Sequence, residues 1–348
     1  MRMVAALAAP LSALALLLAG CSGGGAGGSA ASQEPSGPST PGPVTVTRDV
    51  RFAAASPERA RWSDPLLDVY APVGGEGLPL VVFLPAHSLT KDSSSAYAQL
   101  ATALAGQGAV VAVANWTQLD DPPEILTEPE AFVEVSRLGQ AVAGCAVSFA
   151  AEHAGDYGAD PSRLVLAGEL FGANAAGMIA LGEPDTLPGC SSTAEWAATG
   201  LAGVNGLWMA AYPPFDDVAA AATASQTPWA LLDAARPIPV ALMVTEAGIA
   251  VSERCGGRDA EWLVARDPSG IMRTRLDDVG ALDDACLDLK DEARAMAAEL
   301  AAHEGMAPEV VPLANPDGAT GSDDGAHLEQ LGPADLALLT ETVMGLAE

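Results

Sequence analysis

The chain has 348 residues, 49% of them hydrophobic and 18% charged, at a mean hydropathy of +0.24; this is the composition of a chain that buries a core, and it excludes disorder. Lys and Arg number 16 against 45 Asp and Glu, a formal charge of −29, which excludes nucleic-acid binding through clustered cations and electrostatic docking on anionic lipid. Length alone allows one large domain or two ordinary ones.

At the N-terminus, Met1-Arg2-Met3 starts weakly positive, Val4 to Leu18 is an apolar run, and Leu18-Ala19-Gly20-Cys21 follows. The run is shorter than the roughly 20 residues of a membrane-spanning helix, and its small-residue end reads as a cleavage site. Leu-Ala-Gly-Cys in that place resembles the lipobox of bacterial lipoproteins. The resemblance implies a signal peptide over 1–20 and a lipid on Cys21, which becomes the first residue of the mature chain. The membrane is then a partner through lipid alone, at the extracytoplasmic face; the alternative is an ordinary secreted protein. Residues 22–43 are rich in Gly, Ser and Pro without apolar periodicity, so 21–43 acts as a lipid-anchored tether. The remainder, 44–348, shows no repeat and no second low-complexity break, and reads as one domain.

Four cysteines remain: Cys145, Cys190, Cys255 and Cys286. An even count in an oxidising compartment suggests disulfides, with three possible connectivities. The preferred pairing is Cys145–Cys190 and Cys255–Cys286, which closes two local loops. Their spacing fits no zinc pattern.

Short β-rich runs at Leu66–Tyr70 and Leu80–Leu84 are followed by a helix at Ser94–Leu104 and a continuous apolar strand at Ala109–Ala114. Phe132–Ala151 is a long amphipathic helix, Asp156 to Pro161 a turn, Arg163–Ala167 a strand and Ala173–Leu181 a helix of small residues. Further strands are expected at Leu207–Ala211, Val240–Val244 and Val310–Leu313, with helices at Lys290–His303 and Pro333–Leu346. Continuous apolar strands separated by helices predict an α/β fold with a mainly parallel central sheet covered on both faces. Ligand sites then lie at the carboxyl ends of the strands.

Residues Tyr157-Gly-Ala-Asp-Pro-Ser-Arg-Leu-Val-Leu-Ala-Gly168-Glu-Leu-Phe-Gly172 resemble the approach to the nucleophile elbow of α/β-hydrolases, in their esterase and lipase branch. Leu67 to Pro72, Leu80 to Pro85 and Val111 to Trp116 resemble neighbouring strands of that branch. The resemblance covers most of 60–182 and implies a catalytic Ser between the elbow glycines, an acid after a later strand and a His before the last helix.

Several of those groups are absent. Leu170 stands at the apex between Gly168 and Gly172, and leucine offers no nucleophile. Glu169 precedes the apex, where its side chain points elsewhere. Gly248 occupies the place of the acid; Glu246, Asp216 and Asp217 are the substitutes, or else solvated loop carboxylates. His327, in Asp323-Asp324-Gly325-Ala326-His327, lies where the family's general base sits, and otherwise is a plain loop histidine. After the third strand comes Pro85-Ala86-His87-Ser88 instead of the His-Gly-Gly whose amides hold an oxyanion.

No dinucleotide or P-loop pattern supports a nucleotide cofactor. The carboxylates at Asp277-Asp278 and Asp283-Asp284 lack calcium-loop spacing, so no metal is expected. Residues 255–286 read as an insertion that covers the pocket mouth. Two readings follow. The first is a lipid-anchored, non-catalytic binding or scaffold module for a small molecule or envelope protein. The second is a carboxylic-ester hydrolase using a non-standard nucleophile such as Ser88, paired with His327.

Overall fold

Runs of buried Val, Leu and Ala dictate strands with no solvent face, and these assemble into one eight-stranded sheet. The computed structural model describes residues 42–54, 62–86, 89–117, 129–182, 189–205, 237–245, 306–313 and 332–348, with a few single positions between. The strands are β1 (Val44–Arg51), β2 (Leu66–Pro72), β3 (Leu78–Leu84), β4 (Val110–Ala114), β5 (Ala159–Glu169), β6 (Ala198–Val204), β7 (Pro239–Thr245) and β8 (Ala307–Leu313). Their spatial order is β1-β2-β4-β3-β5-β6-β7-β8. β1 and β2 run antiparallel to their neighbours, and every other pair is parallel.

Helices cover both faces, as continuous apolar strands require. α1 (Ser95–Gly106) starts at Ser94, whose hydroxyl accepts from the Ala96 amide, and it buries Tyr97, Leu100, Ala101, Leu104 and Ala105. This spacing of three and four puts one apolar stripe on the sheet. α2 (Pro129–Glu152) and α3 (Phe171–Leu181) cover the opposite face from α1, and α4 (Pro333–Gly345) packs beside α1. The core is accordingly split in two by the sheet. None of the described helices is long and apolar enough to cross a membrane.

Two details fix the ends of the domain. Val44 pairs with Pro72, at the edge where the parallel strands begin. At the same edge Arg163 donates through Nε and Nη2 to the Ala347 carbonyl, at 3.3 and 3.1 Å. Residues 40–348 form a single unit.

Most expected elements that fall on described residues stand within a few residues of their place, and the sixth strand is one the sequence did not announce. It is Ala198–Val204, paired with β5 and β7, whereas Leu207–Ala211 lies outside the described residues. Its sequence, ATGLAGV, is poor in β-branched side chains, and burial between two neighbours overrides the low propensity. β1 also carried no sequence expectation. β5 begins at Ala159, before the Arg163 expected, because the Asp160-Pro161 segment already runs alongside β3. The helix expected at 290–303 falls largely outside the described residues. Of the two preferred disulfides, Cys145–Cys190 is present; Cys255 and Cys286 lie outside the described residues.

Candidate functional site

At the carboxyl edge of β5 the chain reverses sharply into α3. Leu170 sits alone between strand and helix with φ 50° and ψ −119°, a region that L-residues avoid and that costs of order 1–3 kcal/mol. Neighbouring backbone enforces this shape. A Cβ on Gly168 would overlap the Gly172 backbone, and one on Gly172 would overlap the carbonyl oxygens of Leu84 and Pro85. The Leu170 amide donates to the Val204 carbonyl at 2.8 Å, which ties the bend to β6. The half-buried Leu170 side chain therefore occupies the tip of a strained, tightly supported turn.

Glu169 points away from that tip. It is fully buried; Oε2 accepts from the Tyr97 hydroxyl at 2.6 Å, and Oε1 accepts from the Leu328 amide at 2.6 Å. Both are short hydrogen bonds. Tyr97, on α1, in turn accepts from the Ala86 amide at 3.3 Å. Trp116, just past β4, donates through Nε1 to the Pro85 carbonyl at 2.8 Å. The first amide beyond Pro85 is thus directed at a protein hydroxyl.

The far end of the same loop is held electrostatically. Lys91, its side chain 2% exposed, places Nζ 3.0 Å from Asp68 Oδ1, 2.8 Å from Asp49 Oδ1 and 2.7 Å from Asp92 Oδ2. Asp68, itself buried, also accepts from Arg48 Nη1 and from the Asp49 amide. The Lys91 amide donates to Asn115 Oδ1 at 2.8 Å. Burial works against the Lys91 ammonium, but hydrogen bonds to Asp49, Asp92 and Asp68 outweigh it and hold its pKa above the usual 10.5. The bond to Lys91, and then its charge, hold the Asp49 carboxyl below its usual 3.8.

The signs define a window. Stability from the Asp49 pairing is complete above pH 3.8 and is lost as pH falls through the lower folded value. Stability from Lys91 is complete below pH 10.5 and is lost only as pH rises through a higher folded value. Lys91→Met, which strips one cation from the buried Asp68, lowers unfolding free energy by about 3 kcal/mol at neutral pH, the lower end for a broken buried pair because Arg48 stays on Asp68. Urea unfolding measures this, and an unchanged midpoint contradicts the clamp.

Comparison with solved structures places the fold. An esterase B from Lactobacillus rhamnosis superposes with a TM-score of 0.50 at 13% identity, over 88% of this chain and 87% of that one. The fold is that of the α/β-hydrolases. Further similar structures are esterase Est22, with a TM-score of 0.47 at 14% identity over 87% of this chain and 78% of that one, and a carbohydrate esterase from gut microbiota, with 0.45 at 11% over 87% and 96%. No protein-family model and no curated protein matches the chain.

Within this α/β-hydrolase fold, Leu170 occupies the elbow apex. Glu169, weighed as a substitute nucleophile, is turned into the buried network with Tyr97 and Leu328. Ser88, His87, Asp216, Asp217, Glu246, Gly248 and His327 lie outside the described residues, as do Cys21 and the 255–286 segment. No cluster of His, Cys, Asp and Glu suited to a metal occurs among the described residues. Sequence reasoning missed the Lys91 cluster and the roles of Tyr97 and Leu328. One signal for the first was available: Asp68 interrupts an apolar strand, Leu66-Leu67-Asp68-Val69-Tyr70, and a buried carboxylate needs a cation.

Proposed function

We propose that this chain is an extracytoplasmic lipoprotein, anchored by lipid on Cys21, whose α/β-hydrolase fold serves as a non-catalytic binding or scaffold module. The carrying observation is Leu170 at an elbow whose bend and flanking glycines are intact. The turn that presents a nucleophile in an esterase presents an aliphatic side chain here, and an acyl-enzyme cannot form on it. The Ala86 amide, bonded to Tyr97, supports the same reading, because an oxyanion needs donors free to face it. The Cys145–Cys190 disulfide fits an oxidising compartment. The partner is a small molecule or an envelope protein, and the acidic chain favours a cationic one; fold alone assigns no chemistry.

The mature domain is expected to leave a fluorophosphonate probe unreacted and a short p-nitrophenyl ester uncleaved. Labelling that disappears on Ser88→Ala or His327→Ala overturns the non-catalytic reading and establishes the hydrolase alternative. Leu170→Ser alone is expected to give less than about a thousandth of a working esterase's rate, because oxyanion donors by themselves contribute about 10²–10³ in kcat. Strong turnover from that single change shows the remaining machinery to be whole. For the anchor, Cys21→Ala moves the protein from the membrane fraction to the soluble one; retention in the membrane fraction removes the lipid from the proposal.

A further inference from the structure

Glu169 is a buried carboxylate that the binding reading does not use, and its two oxygens face two different parts of the site. We infer that Glu169 is the hub that couples the Leu170 bend, the Ala86 amide past β3 and the Leu328 amide before α4, so that these three backbone points loosen together. This goes beyond the reading above and stands whether or not the site cleaves an ester.

The geometry carries it. Glu169 is the last residue of β5, level with Val204 of β6, so its backbone is fixed by the sheet. From that fixed point Oε1 holds the Leu328 amide and Oε2 holds the Tyr97 hydroxyl, both at 2.6 Å. The contacts span 159 and 72 residues of sequence, which makes them closures of long loops. Tyr97 relays the second contact. Its hydroxyl donates to Glu169 and accepts from the Ala86 amide, and a hydroxyl that donates to a carboxylate is a better acceptor. Ala86 therefore feels the carboxylate through Tyr97. Leu328 itself is 4% exposed, within the core cluster beneath α1 and α4. The Leu328 amide is thereby docked by the Leu328 side chain and by the Glu169 bond together. A buried carboxylate is held only while its donors stay in place, so loss of one donor loosens the grip on the others.

Hydrogen exchange on the whole mature protein tests this, resolved at the Ala86 and Leu328 amides, with Val165 and Leu166 of β5 as internal references. Tyr97→Phe removes one oxygen and keeps the ring packed on Phe83. It is expected to speed exchange about 10-fold at Ala86, and also at Leu328, whose amide donates to Glu169. Glu169→Ala is expected to speed Leu328 about 100-fold, the scale of a buried donor left without its acceptor, with the references unchanged. If Tyr97→Phe speeds Ala86 and leaves Leu328 at the wild-type rate, the contacts are independent and the hub is refuted. Equal acceleration of Val165 and Leu166 also refutes it, by assigning Glu169 to global stability. Should Glu169→Ala fail to fold, the Tyr97→Phe result decides alone.

Discussion

Replacing Cys145 and Cys190 together by alanine is expected to lower the unfolding free energy by about 4 kcal/mol and the melting temperature by about 10 °C. The bond closes a loop of 45 residues, and in the chain-entropy account a crosslink of that span removes most of its freedom from the unfolded state. It joins the buried Cys145 of α2 to a segment that continues the sheet. Gly189 accepts from the Ala54 amide at 3.0 Å, and Ser191 donates to the Phe52 carbonyl at 3.0 Å. Both flanking bonds bring the crosslinked segment against the residues that follow β1. Calorimetry with and without a reductant checks the expectation, and the double variant must match the reduced wild type. A melting temperature indifferent to reduction contradicts it.

The second large effect is expected from Gly172→Ala, at about 4 kcal/mol, near the upper end for single substitutions. The added methyl meets the carbonyl oxygens of Leu84 and Pro85, and those are backbone atoms at the end of a buried central strand. No rotamer change relieves such a contact, so either α3 lifts from β3 or the strand end shifts. Overpacking elsewhere in a core costs about 1–3 kcal/mol because side chains give way. Helix propensity works in the opposite direction, alanine being favoured over glycine by about 1 kcal/mol, so a destabilised variant isolates the steric cause. Denaturant unfolding gives the figure. A variant as stable as wild type means that the glycine is dispensable to the bend.

The elbow was legible in the sequence because it is local. Gly168 and Gly172 are four residues apart, and the strand before them and the small-residue helix after them lie in one stretch of chain. The same locality made Leu170 conspicuous. β3, β4 and β7 announced themselves by continuous runs of apolar residues, whereas β6 did not. Ala198 to Val204 has two glycines and two alanines among seven residues, and only its position between β5 and β7 makes it a strand. Glu169 could be placed beside the apex, but its partners could not be read, because Tyr97 and Leu328 arrive from distant elements. The Lys91 cluster was hidden for the same reason, drawing on residues 48, 49, 68, 91, 92 and 115. What propensity and pattern convey is the element; which side chains share a charge is decided by how the elements are ordered in the sheet.

The pinning of both ends has a practical corollary. Val44 starts, and Ala347 is gripped by Arg163, at the rim where the parallel strands begin, a full strand length from the bend at Leu170. A resin or sensor chip that grips the C-terminus thus leaves the rim carrying the bend turned toward the solution, with no handle across it. Capture experiments designed this way sample whatever the rim around Leu170 retains, and a bulky fusion partner at that end does not stand in its way.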